Sequence, residues 1–230
     1  MSPSDPAAPA AFPRGVADPH GRRAYIRNEV GGIDALDLDD GAAVWRRESP
    51  SLPLMALEDG VAALTVTRGR PNEFRVDVLD AGTGHARLTS DPITLPDWAS
   101  VKDPSAFDIA VRRDGSTLRL TWHARARYGG GAHAPAHIVQ AATKDATGTV
   151  IVDLATGRVL DGPPAGDITP AVERRSEPEA SGTSVLGQRV YEVTEDTDGT
   201  HLRARSAASG ELAWERRLSS GPEIPPPLRP

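Results

Sequence analysis

The chain has 230 residues, no cysteine, 22 glycines, 21 prolines and a formal net charge of −6. Without cysteine there is no disulfide scaffold, no thiolate metal site and no cysteine nucleophile. The acidic balance, with a pI near 5.5, excludes nucleic acid as the main partner, because phosphate binding needs a concentrated basic surface.

In chain order, residues 1–21 are rich in Pro and Ala and poor in large apolar groups. They read as a disordered tail that cannot offset the entropy of ordering. The opening Met-Ser-Pro-Ser-Asp-Pro-Ala-Ala-Pro-Ala-Ala-Phe-Pro-Arg-Gly has no early basic cluster and no uninterrupted apolar run. Neither a signal peptide nor a membrane anchor is expected there, so the expectation is a soluble, cytoplasmic protein with no membrane insertion.

Residues 22–218 read as short strands separated by turns. Strand-like runs cover Arg23 to Asn28, Ile33 to Leu38, Val44 to Glu48, Val61 to Thr67 and Phe74 to Leu79. Further on, Asp97 is a candidate cap for a short helix carrying Trp98, which either plugs an apolar gap or anchors an interface. Phe107 to Val111 leads through Asp114-Gly115 into Thr117 to Ala126. That last run alternates Leu118, Leu120, Trp122 and Ala124 with Thr117, Arg119, Thr121 and His123, the period of a half-buried strand. Residues 136–146 fit either a strand or a short helix. Thr183 to Leu186 reads as a strand, and Arg189 to Thr194 pairs with His201 to Arg205 across Asp198-Gly199. Residues 219–230 form a Pro-rich tail with polyproline II character.

Within this series one unit recurs. Asp37 to Gly41 is followed by Trp45, Asp80 to Gly84 by Leu88, and Asp153 to Gly157 by Val159-Leu160; Ser206 to Gly210 is followed by Trp214. Gly accepts the positive φ of a tight turn, and an Asp at its start can accept hydrogen bonds from turn amides. The expected fold class is therefore all-β, with about four antiparallel β-sheet repeats. The first repeat, counted from residue 23, falls one strand short of four.

These units resemble the repeat of PQQ-type β-propellers, in which a strand ending Ala-Leu-Asp is followed by a Thr-Gly turn and then a Trp. Ala35-Leu36-Asp37…Gly41…Trp45 carries the resemblance most fully. Leu79-Asp80…Thr83-Gly84 and Asp153…Thr156-Gly157 keep the turn without the Trp, and Gly210…Trp214 keeps the Trp without the Asp. The resemblance implies a β-propeller-like architecture. Four units are fewer than rings of this family usually hold, which implies a partial or open ring and hence a protein partner or a homo-oligomer. It also implies either a non-enzymatic scaffold or a degenerate quinoprotein enzyme. No quinone cofactor is expected, since the family's vicinal Cys pair is missing and no Asp/Asn-rich loop stands apart from ordinary turns.

Chemistry-bearing residues are few. His123, His133 and His137 fall close together around Gly129-Gly130-Gly131. Neutral imidazoles are ligands for Zn²⁺ or Cu²⁺, so a metal- or small-ligand-binding module is the alternative to a scaffold. Asp37-Leu-Asp39-Asp40-Gly41 echoes a Ca²⁺ loop, but Gly and Ala stand where a ligand and the loop Gly belong. Gly182-Thr-Ser184-Val-Leu186 lacks the last Gly of a nucleophile elbow. No catalytic residue is assigned.

Overall fold

The computed structural model describes residues 10–18, 20–102, 106–126, 144–161 and 183–220. Among them the chain is all-β and contains no helix. Four antiparallel sheets follow one another along the sequence, the fold class expected from the repeated turn. None of them closes on itself; each has two edges.

The first sheet contains β1 (Ala10–Phe12), β2 (Gly15–Ala17), β3 (Arg23–Arg27), β4 (Ile33–Asp37) and β5 (Ala43–Arg47), in that order. The second contains β6 (Ser51–Leu57), β7 (Gly60–Val66), β8 (Glu73–Asp80), β9 (Ala86–Thr89) and β10 (Ile93–Thr94), in the order β10-β8-β7-β6 with β9 also on β8. The third is β11 (Phe107–Asp114), β12 (Thr117–Ala126), β13 (Lys144–Asp153) and β14 (Val159–Asp161). The fourth is β15 (Thr183–Leu186), β16 (Arg189–Asp196), β17 (Gly199–Ser206) and β18 (Leu212–Ser220).

By compactness the chain divides into two units. One takes Met1–Val61, Ala81–Gly84 and Pro178–Pro230; the other takes Ala62–Asp80 and His85–Glu177. The first unit is built around Phe12, Ile26, Leu36, Leu38, Tyr191, Leu202 and Trp214. Phe12 meets Tyr191 with ring centroids 5.1 Å apart, and Tyr191 meets Trp214 at 5.9 Å. Burying each such side chain contributes about 1.5–3 kcal/mol. The second unit buries Leu64, Phe74, Val76, Leu79, Leu118, Leu120 and Val152. Phe74 lies edge-on to Phe107 at 6.1 Å.

Both expected tails are corrected at their inner ends. Residues 10–17 fall in the expected tail, yet they form β1 and β2 and raise the first sheet to five strands. Composition hid this because a single large side chain does the anchoring: Phe12 is 2% exposed in the unit's core. Asp18, itself buried, then ties the turn into β3 by accepting bonds from the amides of His20, Arg22 and Arg23. At the other end β18 continues to Ser220, two residues into the expected C-terminal tail, and 221–230 lie outside the described residues.

The helix expected after Asp97 is instead a turn, closed by the Ala99 amide on the Pro96 carbonyl. β6 was not anticipated at all. Pro53 interrupts its apolar run, but β6 is an edge strand of its sheet, where a missing N–H leaves no inner ladder bond unmade.

Candidate functional site

The repeated turn is built in the same way at three sites. The Gly41 amide donates to the Asp37 carbonyl at 2.9 Å, Gly157 to Asp153 at 2.8 Å, and Gly210 to Ser206 at 2.9 Å. The glycines hold φ of 74°, 74° and 73°, and Gly84 holds 69°, a conformation that costs other residues about 1 kcal/mol or more. The Asp37 carboxylate accepts from the Asp39 amide, and Asp153 accepts from Ala155 and Thr156. Asp40 accepts from the Ala42 amide. The acidic residues that echo a Ca²⁺ loop thus cap their own turn. In the fourth repeat the Ser206 hydroxyl takes the place of the carboxylate and accepts from the Ser209 amide at 3.2 Å.

What distinguishes the turns is what lies on them. The Trp214 indole covers Gly41 so closely that an added Cβ would stand 2.6 Å from its ring. Its Nε1–H donates to the Leu38 carbonyl at 3.1 Å. Trp45 repeats this on the next turn, 2.6 Å from a Cβ at Gly84, and donates to the Ala81 carbonyl at 2.9 Å. In both cases the acceptor lies three residues before the glycine. A guanidinium meets the same carbonyl: Arg189 donates to Leu38 and Arg23 to Ala81. Arg189 also bonds the Asp39 carbonyl at 2.9 Å.

The two clamps share a register. Arg23 lies opposite Asp37, and Arg189 lies opposite Ser206. Trp45 lies opposite Ala35, and Trp214 opposite Ala204, each just past a register shift in its strand pair. Small residues opposite leave room for the indole. Sequence reading singled out Asp37, Gly41, Trp45, Asp80, Gly84, Asp153, Gly157, Gly210 and Trp214 as structural residues but missed Arg23 and Arg189. The signal was available, because each arginine opens the strand that stands two before the Trp-bearing strand, β3 before β5 and β16 before β18.

Gly157 is covered differently. A Cβ there would stand 2.7 Å from the Thr89 carbonyl and 3.4 Å from Leu88, the residue in the position of the Trp. At Gly210 no described residue lies within 4 Å of an added Cβ.

Among the expected metal ligands, His133 and His137 lie outside the described residues. His123 sits on β12, its Nε2 2.5 Å from Asp145 Oδ1. Arg125 Nη2 lies 2.9 Å from Nδ1. Arg125 Nε also donates to Nε2 at 3.3 Å. Both nitrogens are engaged within the sheet. Among the described residues no group of three His, Asp or Glu side chains is disposed to hold a metal ion. Trp98 is half-buried in its turn. Trp122 lies across Gly148, its register partner on β13, and fills the space a side chain would take.

The fourth sheet carries a lattice of paired charges. Arg203 bonds Glu215 at 3.0 Å, His201 Nδ1 lies 2.9 Å from the same carboxylate, and Arg205 bonds Glu192 at 3.0 Å. The Arg203 guanidinium holds the Glu215 carboxyl below its ordinary value and is itself raised by that bond. In the second sheet Arg70, 2.8 Å away, likewise lowers Glu73. Tyr191 is raised by burial, an effect partly opposed by Arg189. These groups bind one another, and their chemistry is that of cross-strand pairs.

No family model matches the chain, and no curated protein does. Among solved structures it is similar to BamB from Moraxella catarrhalis, at 17% identity and a TM-score of 0.34 over 90% of this chain and 55% of that one. It is also similar to the computationally designed Ika4 protein, at 14% identity and a TM-score of 0.38, covering 90% of this chain and 93% of that one. A third is a quinohemoprotein alcohol dehydrogenase from Pseudomonas putida HK5, at 14% identity and a TM-score of 0.36 over 86% and 33%. The chain spans about half the length of BamB.

Proposed function

We propose that this chain is a non-enzymatic, β-propeller-like scaffold with PQQ-type repeats, whose sheet edges receive a protein partner. The observation that carries the reading is where large apolar side chains emerge. Of the four exposed large apolar side chains among the described residues, Val30 lies in a turn, and Leu160 (43% exposed), Val185 (65%) and Leu212 (49%) lie on β14, β15 and β18, which are all edge strands. An edge strand presents unpaired N–H and C=O groups, and exposed apolar side chains beside them form a surface suited to strand addition. No bound quinone or metal is needed for this role. The alternative, a metal module on His123, His133 and His137, is supported by sequence proximity alone.

The test is retention of a partner from the native host by the full chain, compared with a Val185→Asp/Leu212→Asp variant. A partner retained by the parent and lost from the variant supports the scaffold. Equal retention by both overturns it, as does turnover by the pure protein that disappears when one polar residue is replaced.

A further inference from the structure

We infer that the Asp114–Gly115 step, at the tip of the β11–β12 hairpin, is a modification site at which Asp114 converts spontaneously to isoaspartate through a succinimide. This goes beyond the scaffold reading and does not depend on it. The conversion needs no enzyme and no co-reactant but water. The Gly115 amide nitrogen attacks Asp114 Cγ and forms a C–N bond, while the hydroxyl of the carboxyl group and the amide proton leave together as water. Water then opens the succinimide ring. Opening at the former main-chain carbonyl leaves Gly115 attached through Cγ, so the backbone is longer by a methylene and no atom is gained or lost overall.

A glycine after the aspartate leaves the attacking nitrogen accessible, because it carries no Cβ. The chain has Asp-Gly steps at Asp40, Asp59, Asp114, Asp161 and Asp198, and the fold holds them differently. At Asp40 the Gly41 amide donates to the Asp37 carbonyl at 2.9 Å, the carboxylate accepts from Ala42, and the glycine is buried under Trp214. At Asp198 the Gly199 amide donates to Asp196 Oδ1 at 3.2 Å, and Gly199 is buried at the start of β17. Asp59 is held by its carbonyl, which accepts from the Ala81 amide at 3.0 Å, and Gly60 is buried at the start of β7. Gly162, which follows Asp161, lies outside the described residues.

Asp114–Gly115 is set out in the opposite way. Asp114 ends β11 and pairs with Thr117, so Gly115 and Ser116 are the whole loop. Gly115 has a φ of 59° and Ser116 a negative φ, the pattern of a type II′ turn with glycine at its first central position. Such a turn closes between its outer residues and leaves the first central amide outside the closing bond. Residues 112–116 are exposed throughout. An exposed hairpin tip opens locally at small cost, which gives the nitrogen the approach to Cγ that burial and bonding deny at the other described steps. The loop is held by its carbonyls instead: Thr117 Oγ1 donates to Asp114 at 2.9 Å, Arg113 Nε to Gly115 at 3.0 Å and the Leu154 amide to Ser116 at 2.9 Å. Isoaspartate turns the Asp114 carbonyl into a carboxylate off the main chain, which lengthens the loop and loosens the tip of β11, an edge strand of the third sheet.

The experiment incubates the full chain in warm neutral buffer and maps isoaspartate by peptide mass spectrometry, using its resistance to Asp-N protease. An isoaspartyl methyltransferase with labelled S-adenosylmethionine counts the product independently. Isoaspartate is expected at Asp114 at least about fivefold faster than at Asp40, Asp59 or Asp198, the factor that corresponds to about 1 kcal/mol for one amide hydrogen bond kept closed. In denaturant these steps should convert at similar rates, because the bonds and burial that separate them are gone. Asp114→Glu should remove the product at this position, since the longer side chain has a larger and slower ring to close. Asp114→Asn should raise it, since a neutral amide is a better target for the nitrogen than a carboxylate. Conversion in the folded chain as fast at Asp40, Asp59 or Asp198 as at Asp114 overturns the site. So does a preference for Asp114 that survives denaturation, or an Asp114→Asn variant that forms no isoaspartate there while folded.

Discussion

The first and third repeats contain the same turn but orient the strand after it differently. In the first, Leu36 pairs with Ala43 and Ala35 with Trp45, so Val44 is an extra residue in the ladder. The fourth repeat skips Ala213 in the same way, and the second skips Arg87. In the third, Val152, Ile151 and Val150 pair with Val159, Leu160 and Asp161 without interruption. Side chains alternate across a strand, so one extra residue moves every later side chain to the opposite face. The bulge sets the fourth residue after the glycine, Trp45 or Trp214, opposite the small Ala35 or Ala204. Without it, the same place in the ladder, opposite Ile151, falls to the third residue, Leu160, which is 43% exposed. An identical turn is therefore insufficient; the residue that the returning strand brings to this place decides whether a clamp forms.

The comparison is broken most severely by removing an indole. Trp214→Ala removes a side chain only 9% exposed and should cost about 3–5 kcal/mol. Trp45 is half-buried, so Trp45→Ala should cost about 1.5–3 kcal/mol. Chemical denaturation of the parent and the two variants ranks them; a Trp45 variant less stable than the Trp214 variant would contradict the difference in burial.

Next in size are the glycines. Gly41→Asn meets the Trp214 ring and should destabilise by about 2 kcal/mol or more, while Gly210→Asn, with open space beside it, should stay within about 0.5 kcal/mol. Equal effects at the two turns would mean that backbone strain, rather than the covering indole, sets the cost. The arginines are expected to matter less. Arg189→Met and Arg23→Met each remove a charged donor from a carbonyl, and with the Arg189 side chain 31% exposed the loss should be about 1 kcal/mol. A double-mutant cycle of Arg189→Met with Trp214→Phe should show coupling, because both side chains share the Leu38 carbonyl.

The smallest expected effect is on pH dependence. Glu73 and Glu215, one in each unit, are held below the ordinary carboxyl value of 4.5 by Arg70 and Arg203. A carboxyl lowered on folding contributes stability that is fully present above its unfolded value and is lost as pH falls through the folded one. Stability should accordingly decline with acidification below about pH 4.5. Glu215→Gln and Glu73→Gln should each flatten that decline, as read from denaturation midpoints between pH 6 and 3, about the range over which carboxyls titrate.

Much of the β-structure was legible because its signals are local. Thr117–Ala126 alternates cleanly and is β12 with those bounds, and Asp-x-x-x-Gly marks three of the repeated turns, since capping and positive φ depend on nearby residues. What was not legible depended on partners distant in sequence. Phe12 orders β1 through Tyr191, and the Pro53 strand stands because it is an edge. Of the site residues, Trp45 and Trp214 could be seen as strand residues, but their acceptors lie 36 and 176 residues away, and the arginines that share those carbonyls lie 58 and 151 residues from them. Local chemistry dictates where the chain turns and which residues alternate. Which turn lies under which indole is a property of the assembled fold, because a bulge and a docked ring are settled by packing between strands rather than by the propensity of any one of them.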